Sequence, residues 1–176
     1  LKVVQRKMKI KYYIKEMRVH HYIKNILVLM PLACSGKLLN TDKLTAAGFA
    51  FASFCLVSSA IYFINDIADV EKDRKHPTKC KRPIAAGDIS KRAAVVFAVF
   101  LIAFAGLCNA FSFHVKSTLL LALYLLINIC YSFGLKNVPL LDIALLVSGF
   151  VIRALYGSVV TDIHIQRIGV VVHSVV

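Results

Sequence analysis

Five apolar runs divide the chain, at about residues 22–39, 44–64, 93–113, 117–133 and 140–160. Each approaches the ~20 residues that a helix needs to cross ~30 Å of hydrocarbon. Inside lipid no water can satisfy an exposed backbone, so such a run must be helical. The pattern therefore predicts an all-α fold, a polytopic transmembrane helix bundle. Three of the polar links are short, at residues 40–43, 114–116 and 134–139, whereas the link at 65–92 is long and carries the most polar stretch of the sequence. Long ordered connections in a tightly linked bundle usually carry function. The expected organisation is a basic segment at 1–21, a spanning domain at 22–160 with the motif loop 65–92, and an atypical tail at 161–176. That tail is too short and interrupted to span, and reads as the end of a truncated chain.

Composition sharpens this picture. The 176 residues are 59% hydrophobic, with a mean hydropathy of +0.71 and a formal charge of +13. A soluble domain would be nearer half apolar, with its charges mixed. Nucleic-acid binding, the other common reading of a basic chain, is set aside because the basic residues flank runs long enough to span a bilayer. If the N-terminus is cytoplasmic, residues 1–24, 65–92 and 134–139 lie inside and carry eight, eight and one Lys or Arg. The other side holds Lys37, Lys43, Lys116 and Arg167. This asymmetry follows the positive-inside rule and predicts a multi-pass protein of the cell membrane, with the 65–92 loop at the cytoplasmic face. Residues 1–20 read mainly as a topology anchor along anionic headgroups. The five cysteines are scattered, odd in number and without a C-x-x-C pair, so they read as small apolar fillers. No secretory signal is expected, because the first apolar run leads into further spans.

The candidate chemistry lies between Asn65 and Gly87. Read as a continuing helix, Asn65, Asp69 and Asp73 recur every four residues, with Asp66 three before Asp69, so the four side chains share one broad face. Four oxygen-bearing groups on one face call for a cation between them. Mg²⁺ takes one or two carboxylates and completes its shell with waters and phosphate oxygens. Lys79, Lys81 and Arg82 follow with the charge a polyphosphate wants. The competing reading is a solvated loop whose acids balance Lys72, Arg74 and Lys75. Glu71 falls off the shared face and reads as a surface charge. His76, beside Pro77, is weak support for acid–base work, and Pro83 and Gly87 shape the turn into the third span. Elsewhere, Lys24 and Asn25 either snorkel or face a cavity. Arg153 lies deep in the last span, where a charge needs a partner or a ligand. Asp142 is too far along the same helix to pair with it. Tyr131 and Lys136 stand level with the acidic cluster, where a phosphate is within reach.

The run N-D-I-A-D-V-E-K-D and its continuation K-R-P-I-A-A-G resemble the N-D-x-x-D-x-x-x-D signature and loop ending of the UbiA family of intramembrane prenyltransferases. The R-x-H-x-x-I-K-N run from Arg18 to Asn25 and Y-S-F-G-L-K from Tyr131 to Lys136 are similar to a bacterial branch that acts on polyprenyl phosphate. The resemblance covers roughly residues 14–160. It implies about nine helices around a cavity open to lipid, of which about five are here, and a second acidic motif that this chain lacks. It further implies a transferase that uses Mg²⁺ held by Asn65, Asp66, Asp69 and Asp73, with Asp66, Asp69 and Asp73 catalytic. Substrate or diphosphate would be bound by Lys24, Asn25, Lys79, Arg82, Tyr131, Lys136 and Arg153. The implied reaction moves a phosphoribosyl group from phosphoribosyl diphosphate to a polyprenyl phosphate in cell-wall biosynthesis. Two alternatives stand beside it. One is transfer of a prenyl group from a prenyl diphosphate to an aromatic quinone precursor; the other is a non-catalytic membrane protein or inactive fragment.

Overall fold

The structure, a computed structural model, describes residues 10–111, 114–134 and 139–163, the last stretch with side chains from residue 143 on. Lys136 and most of the 161–176 tail lie outside the described residues. The regular structure of the described residues is all helical: α1 (Ile10–Met17), a 3₁₀ segment (Val19–Val28), α2 (Met30–Ala33), α3 (Thr41–Ala68), α4 (Val70–Lys75), a 3₁₀ turn (Lys79–Lys81), α5 (Lys91–Ala110), α6 (Val115–Phe133) and α7 (Pro139–Thr161). Among the described residues, four helices are long and apolar enough to cross a membrane: α3, α5, α6 and Ile143–Thr161 of α7. With these four helices the chain is a multi-pass membrane protein.

The first apolar run departs from expectation. Instead of one helix over 22–39 it forms the 3₁₀ segment and, after Leu29, the single turn of α2 with Pro31 near its start. Proline has no N–H to continue the ladder into the preceding turn, and its ring crowds that turn, so a new helix begins there. The narrower 3₁₀ geometry rises about 2.0 Å per residue, which carries the ten residues of this segment through much of the bundle.

Helix α3 is the axis. Asn40 caps its start by accepting a hydrogen bond from Lys43 N at 3.0 Å, and α5, α6, α7, α1 and the 3₁₀ segment all pack on it. Its contact with α5 is lined by small residues, Ala50, Ser53 and Ala60 facing Ala94, Ala98 and Ala105. Small side chains let helix backbones approach where lipid offers no hydrophobic drive. Ser53 Oγ donates to Ala105 O across this contact at 2.8 Å. Around Phe54, Tyr124 and Tyr156 the middle of the bundle closes, and Tyr156 Oη donates to Asn109 Oδ1 at 2.8 Å.

At the motif end, α3 stops at Ala68. Asp69 takes φ −93°, ψ 2°, outside the helical basin, yet Asp69 N still donates to Asn65 O and Asp73 N to Asp69 O. The expected continuous helix is therefore broken at one residue, with its i→i−4 bonds carried across. Helix α4 ends at Lys75 because His76 precedes Pro77 and is extended, as residues before proline prefer. The chain then turns back under the bundle. Ile84, Ala85 and Ile89 are buried, Ile89 N donates to Pro83 O, and Gly87 supplies a φ of 81° that glycine takes without strain.

Candidate functional site

The buried R-P-I-A-A-G turn fixes Arg82 beneath the end of α3. Arg82 Nη1 lies 3.0 Å from Asp66 Oδ1 and 2.7 Å from Asp73 Oδ2. From the other side Arg18 Nη2 reaches both oxygens of Asp66, at 2.8 and 2.7 Å. Arg18 sits at φ 51°, ψ 50° between α1 and the 3₁₀ segment. A non-glycine residue held in that region costs about 1–3 kcal/mol, offset here by the two charge-assisted bonds and by the guanidinium stacking over the Tyr62 ring. Asp66 and Asp73 are almost wholly buried, so two carboxylates and two guanidinium groups form one neutralised cluster.

Glu16 was missed as a site residue: it is the single acid of the basic N-terminal segment, and α1 carries it into this cluster. It is 1% exposed, and its Oε1 has no hydrogen-bond partner among the described residues. Burial first, then a hydrogen bond of the neutral acid to Asp66 and the Asp66 charge, raise its carboxyl pKa to about 9, and Arg18 and Arg82 oppose. Glu16 is therefore a neutral acid at pH 7. A lone acid in an otherwise basic stretch is the signal that marks it. The same helix packs Tyr13 edge-on to Phe97 and near Phe63, and Lys15 Nζ donates to Lys81 O. Residues 10–17 thus form a wall of the site, which goes beyond the topology anchor expected of them.

Above the cluster opens a cavity of about 430 Å³ lined by Lys15, Arg18, Lys79, Lys81, Arg82 and Asp66, among others. Neither Lys79 nor Lys81 pairs with a carboxylate among the described residues. Glu71, as expected, is a surface charge. Lys91, first, and Arg74 hold its carboxyl below the usual range. His76 Nδ1 accepts from the Thr78 and Lys79 backbone N–H groups, which makes it a cap for its own turn.

As a metal centre the cluster fits in part. Asp66 and Asp73 converge on one position, and two hard carboxylate oxygens are the donor chemistry Mg²⁺ takes. That shared position is held by Arg82 Nη1. No group of three His, Cys, Asp or Glu side chains is gathered for a metal among the described residues. Of the expected ligands Asn65, Asp66, Asp69 and Asp73, it is Asp66 and Asp73 that meet, at Arg82 Nη1. The broad face survives for the pair seven residues apart, while Asn65 and Asp69 are both only half-buried and the chain leaves the helical basin at Asp69.

The remaining site residues fall into a second group. Asn25 is buried and accepts from Arg153 Nε at 3.0 Å, while Arg153 Nη2 donates to Tyr124 Oη at 3.0 Å. The Arg153 guanidinium also lies over the Phe54 and Tyr124 rings. Lys24 joins Arg153 on the wall of a separate cavity of about 190 Å³. Tyr131 is half-buried on α6 and lines neither cavity.

Over 158 residues the chain is 42% identical to the decaprenyl-phosphate phosphoribosyltransferase of Mycolicibacterium smegmatis, covering 88% of this chain and 49% of that protein. It is 41% identical over 157 residues to the protein of the same name from Corynebacterium glutamicum, covering 88% and 47%. The chain therefore spans about half the length of the curated relatives it matches. The solved structure of a digeranylgeranylglyceryl phosphate synthase superposes with a TM-score of 0.76 at 21% identity, covering 93% of this chain and 57% of that one, a likeness of fold. Residues 26–176 match the UbiA prenyltransferase family, and with the acidic and R-P-I-A-A-G motifs meeting at one cluster beneath the third helix, the chain belongs to that family.

Proposed function

We propose that this chain is part of an integral-membrane transferase that moves a phosphoribosyl group from phosphoribosyl diphosphate to a polyprenyl phosphate, at the cytoplasmic face of the cell membrane. The observation that carries the reading is the basic cavity, in which Lys15, Lys79 and Lys81 stand free of carboxylates beside the Asp66–Arg82 cluster. A polyanionic donor is the ligand such a lining suits. The names of the relatives support both the group transferred and the lipid acceptor.

Family members are generally dependent on a divalent metal, and Asn65, Asp66, Asp69 and Asp73 are the residues that would hold Mg²⁺ here. The ion supplies charge neutralisation to a departing diphosphate. The chain's own residues supply the rest. Lys79, Lys81 and Arg82 bind phosphate oxygens, Arg18 orients Asp66 through both of its oxygens, and the α1 wall limits water. In the reaction the bond from C1 of the ribose to the diphosphate oxygen breaks, its electron pair leaving with diphosphate, and a phosphate oxygen of the acceptor bonds to C1. An ionised acceptor needs no general base, which agrees with a site where His76 is tied into its own turn.

Membranes carrying the full-length protein are to be assayed with labelled phosphoribosyl diphosphate against labelled prenyl diphosphate. Label from the first is expected in a lipid product, and incorporation of only the prenyl label into an aromatic product would sink the reading. Asp69→Asn is expected to abolish transfer and leave membrane insertion intact. Retained turnover would remove Asp69 from the metal site.

A further inference from the structure

Among the described residues, the cavity around Arg153 is lined by two cations and no carboxylate, and it takes no part in the cluster at the motif end. Arg153 is 9% exposed, lies well inside α7, and meets no carboxylate within ion-pair distance among the described residues. Its partners Asn25 and Tyr124 are neutral, and its Nη1 has no hydrogen-bond partner among the described residues. A guanidinium left without a counter-charge inside a membrane bundle is costly unless a ligand completes it. Gly149, one turn earlier, makes the room: a Cβ there would stand 2.9 Å from Nη1. Lys24 brings a second cation to the same cavity, likewise without a carboxylate partner.

Two further features give the ligand its shape. At about 190 Å³ the cavity is smaller than the roughly 300 Å³ at which pockets begin to enclose a whole small molecule, a size that suits a head group. Its rim is apolar, formed by Leu145, Leu146 and Phe150 of α7, the last two well exposed. The two cavities share no lining residue, yet they adjoin. His21 lines the first and Tyr62 the second, and His21 Nδ1 and Tyr62 Oη are hydrogen-bonded at 2.8 Å.

We propose that the Arg153 cavity is the binding site for a phosphate monoester on an apolar tail, with Arg153 Nη1 and Lys24 holding the phosphate and the α7 rim receiving the start of the tail. Resting on the transfer reading above, this makes it the acceptor subsite, separate from the diphosphate cavity and divided from it by the His21–Tyr62 pair.

The test uses the full-length protein in nanodiscs, with binding of a labelled polyprenyl monophosphate, of phosphoribosyl diphosphate and of inorganic phosphate measured separately. Arg153→Gln and Gly149→Ala are each expected to weaken the lipid phosphate about tenfold or more, with phosphoribosyl diphosphate changed less than about twofold, and Arg82→Gln to do the reverse. Equal losses for both ligands, or unchanged lipid binding in a folded Arg153→Gln protein, would overturn the proposal. Should Arg153→Gln fail to fold, Gly149→Ala decides, since it keeps every charge and displaces only the end of a flexible side chain. Inorganic phosphate bound at Arg153 with no binding of the lipid form would assign the site to free phosphate and overturn the lipid assignment. Lipid phosphate held at Arg153 without any phosphoribosyl transfer would leave this subsite standing while the donor assignment fell.

Discussion

Glu16 stands 1% exposed against Asp66 with its Oε1 unpaired, and the cluster tolerates it because it is neutral. Its folded pKa of about 9 lies above the ordinary 4.5, so the folded state keeps a proton that the unfolded chain releases. The sign follows from proton linkage: stability is fully present below about pH 4.5 and is lost as pH rises toward 9. Glu16→Gln keeps the shape and cannot ionise. In chelator, its melting temperature is expected to exceed the parent's at pH 8, with the gap narrowing toward pH 5; a gap that does not change with pH would show Glu16 to be ionised in the fold. The approach of Asp66 to Asp73 was legible in the sequence because residues seven apart share a helical face, whereas Arg82, read there as a phosphate ligand, pairs with both through the turn that follows. Glu16 and Arg18 were not legible as partners of Asp66, because they come to it through a tertiary contact 48 or more residues away that no local periodicity encodes.

Among the elements, the long spans follow directly from apolar length, since lipid leaves the backbone no alternative to a helix. The first apolar run did not follow that rule. Composition marks it as apolar but does not distinguish an α-helix from a 3₁₀ segment, and the distinction comes from what crosses it. Gly157 of α7 lies directly against the backbone of the 3₁₀ segment, where a Cβ would run into the Val28 carbonyl. Nearby, Asn25 ties the segment to α3 through Cys55 and Ser58 and to α7 through Arg153. The close crossing and the buried polar links together hold a segment whose own hydrogen-bond geometry is poorer than that of an α-helix. Gly157→Ala is accordingly expected to destabilise by about 1–3 kcal/mol through overpacking, read as a lower melting temperature in detergent. Gly106→Ala, on α5 with open space around it, is the control and is expected to melt with the parent or slightly above it. Equal melting of the two variants would mean that α7 and the 3₁₀ segment are not in close contact.

At the scale of the whole molecule, the charge asymmetry and the site make one joint claim about direction across the membrane. The Asp66–Arg82 cluster, α1 and the basic loop gather at one end of α3, while the Gly36 turn and the cap at Asn40 lie at the other. The sequence made this separation legible because Lys and Arg are sorted between the connections, whereas the pairing of the two ends with particular cavities depended on packing. Two native cysteines turn the claim into a measurement. Cys80 lies in the motif loop and Cys34 at the end of α2 near the opposite turn, both partly exposed and neither in a disulfide. In single-cysteine full-length proteins expressed in intact cells, a membrane-impermeant maleimide is expected to label Cys34 and to spare Cys80 until the membrane is opened. That outcome puts the basic cavity on the side where phosphorylated sugars are made and held, as the proposed transfer requires of a soluble donor reaching Lys79 and Lys81. Labelling of Cys80 in intact cells would invert the bundle and leave the soluble donor no access to the cavity, and with it the transfer reading would fail.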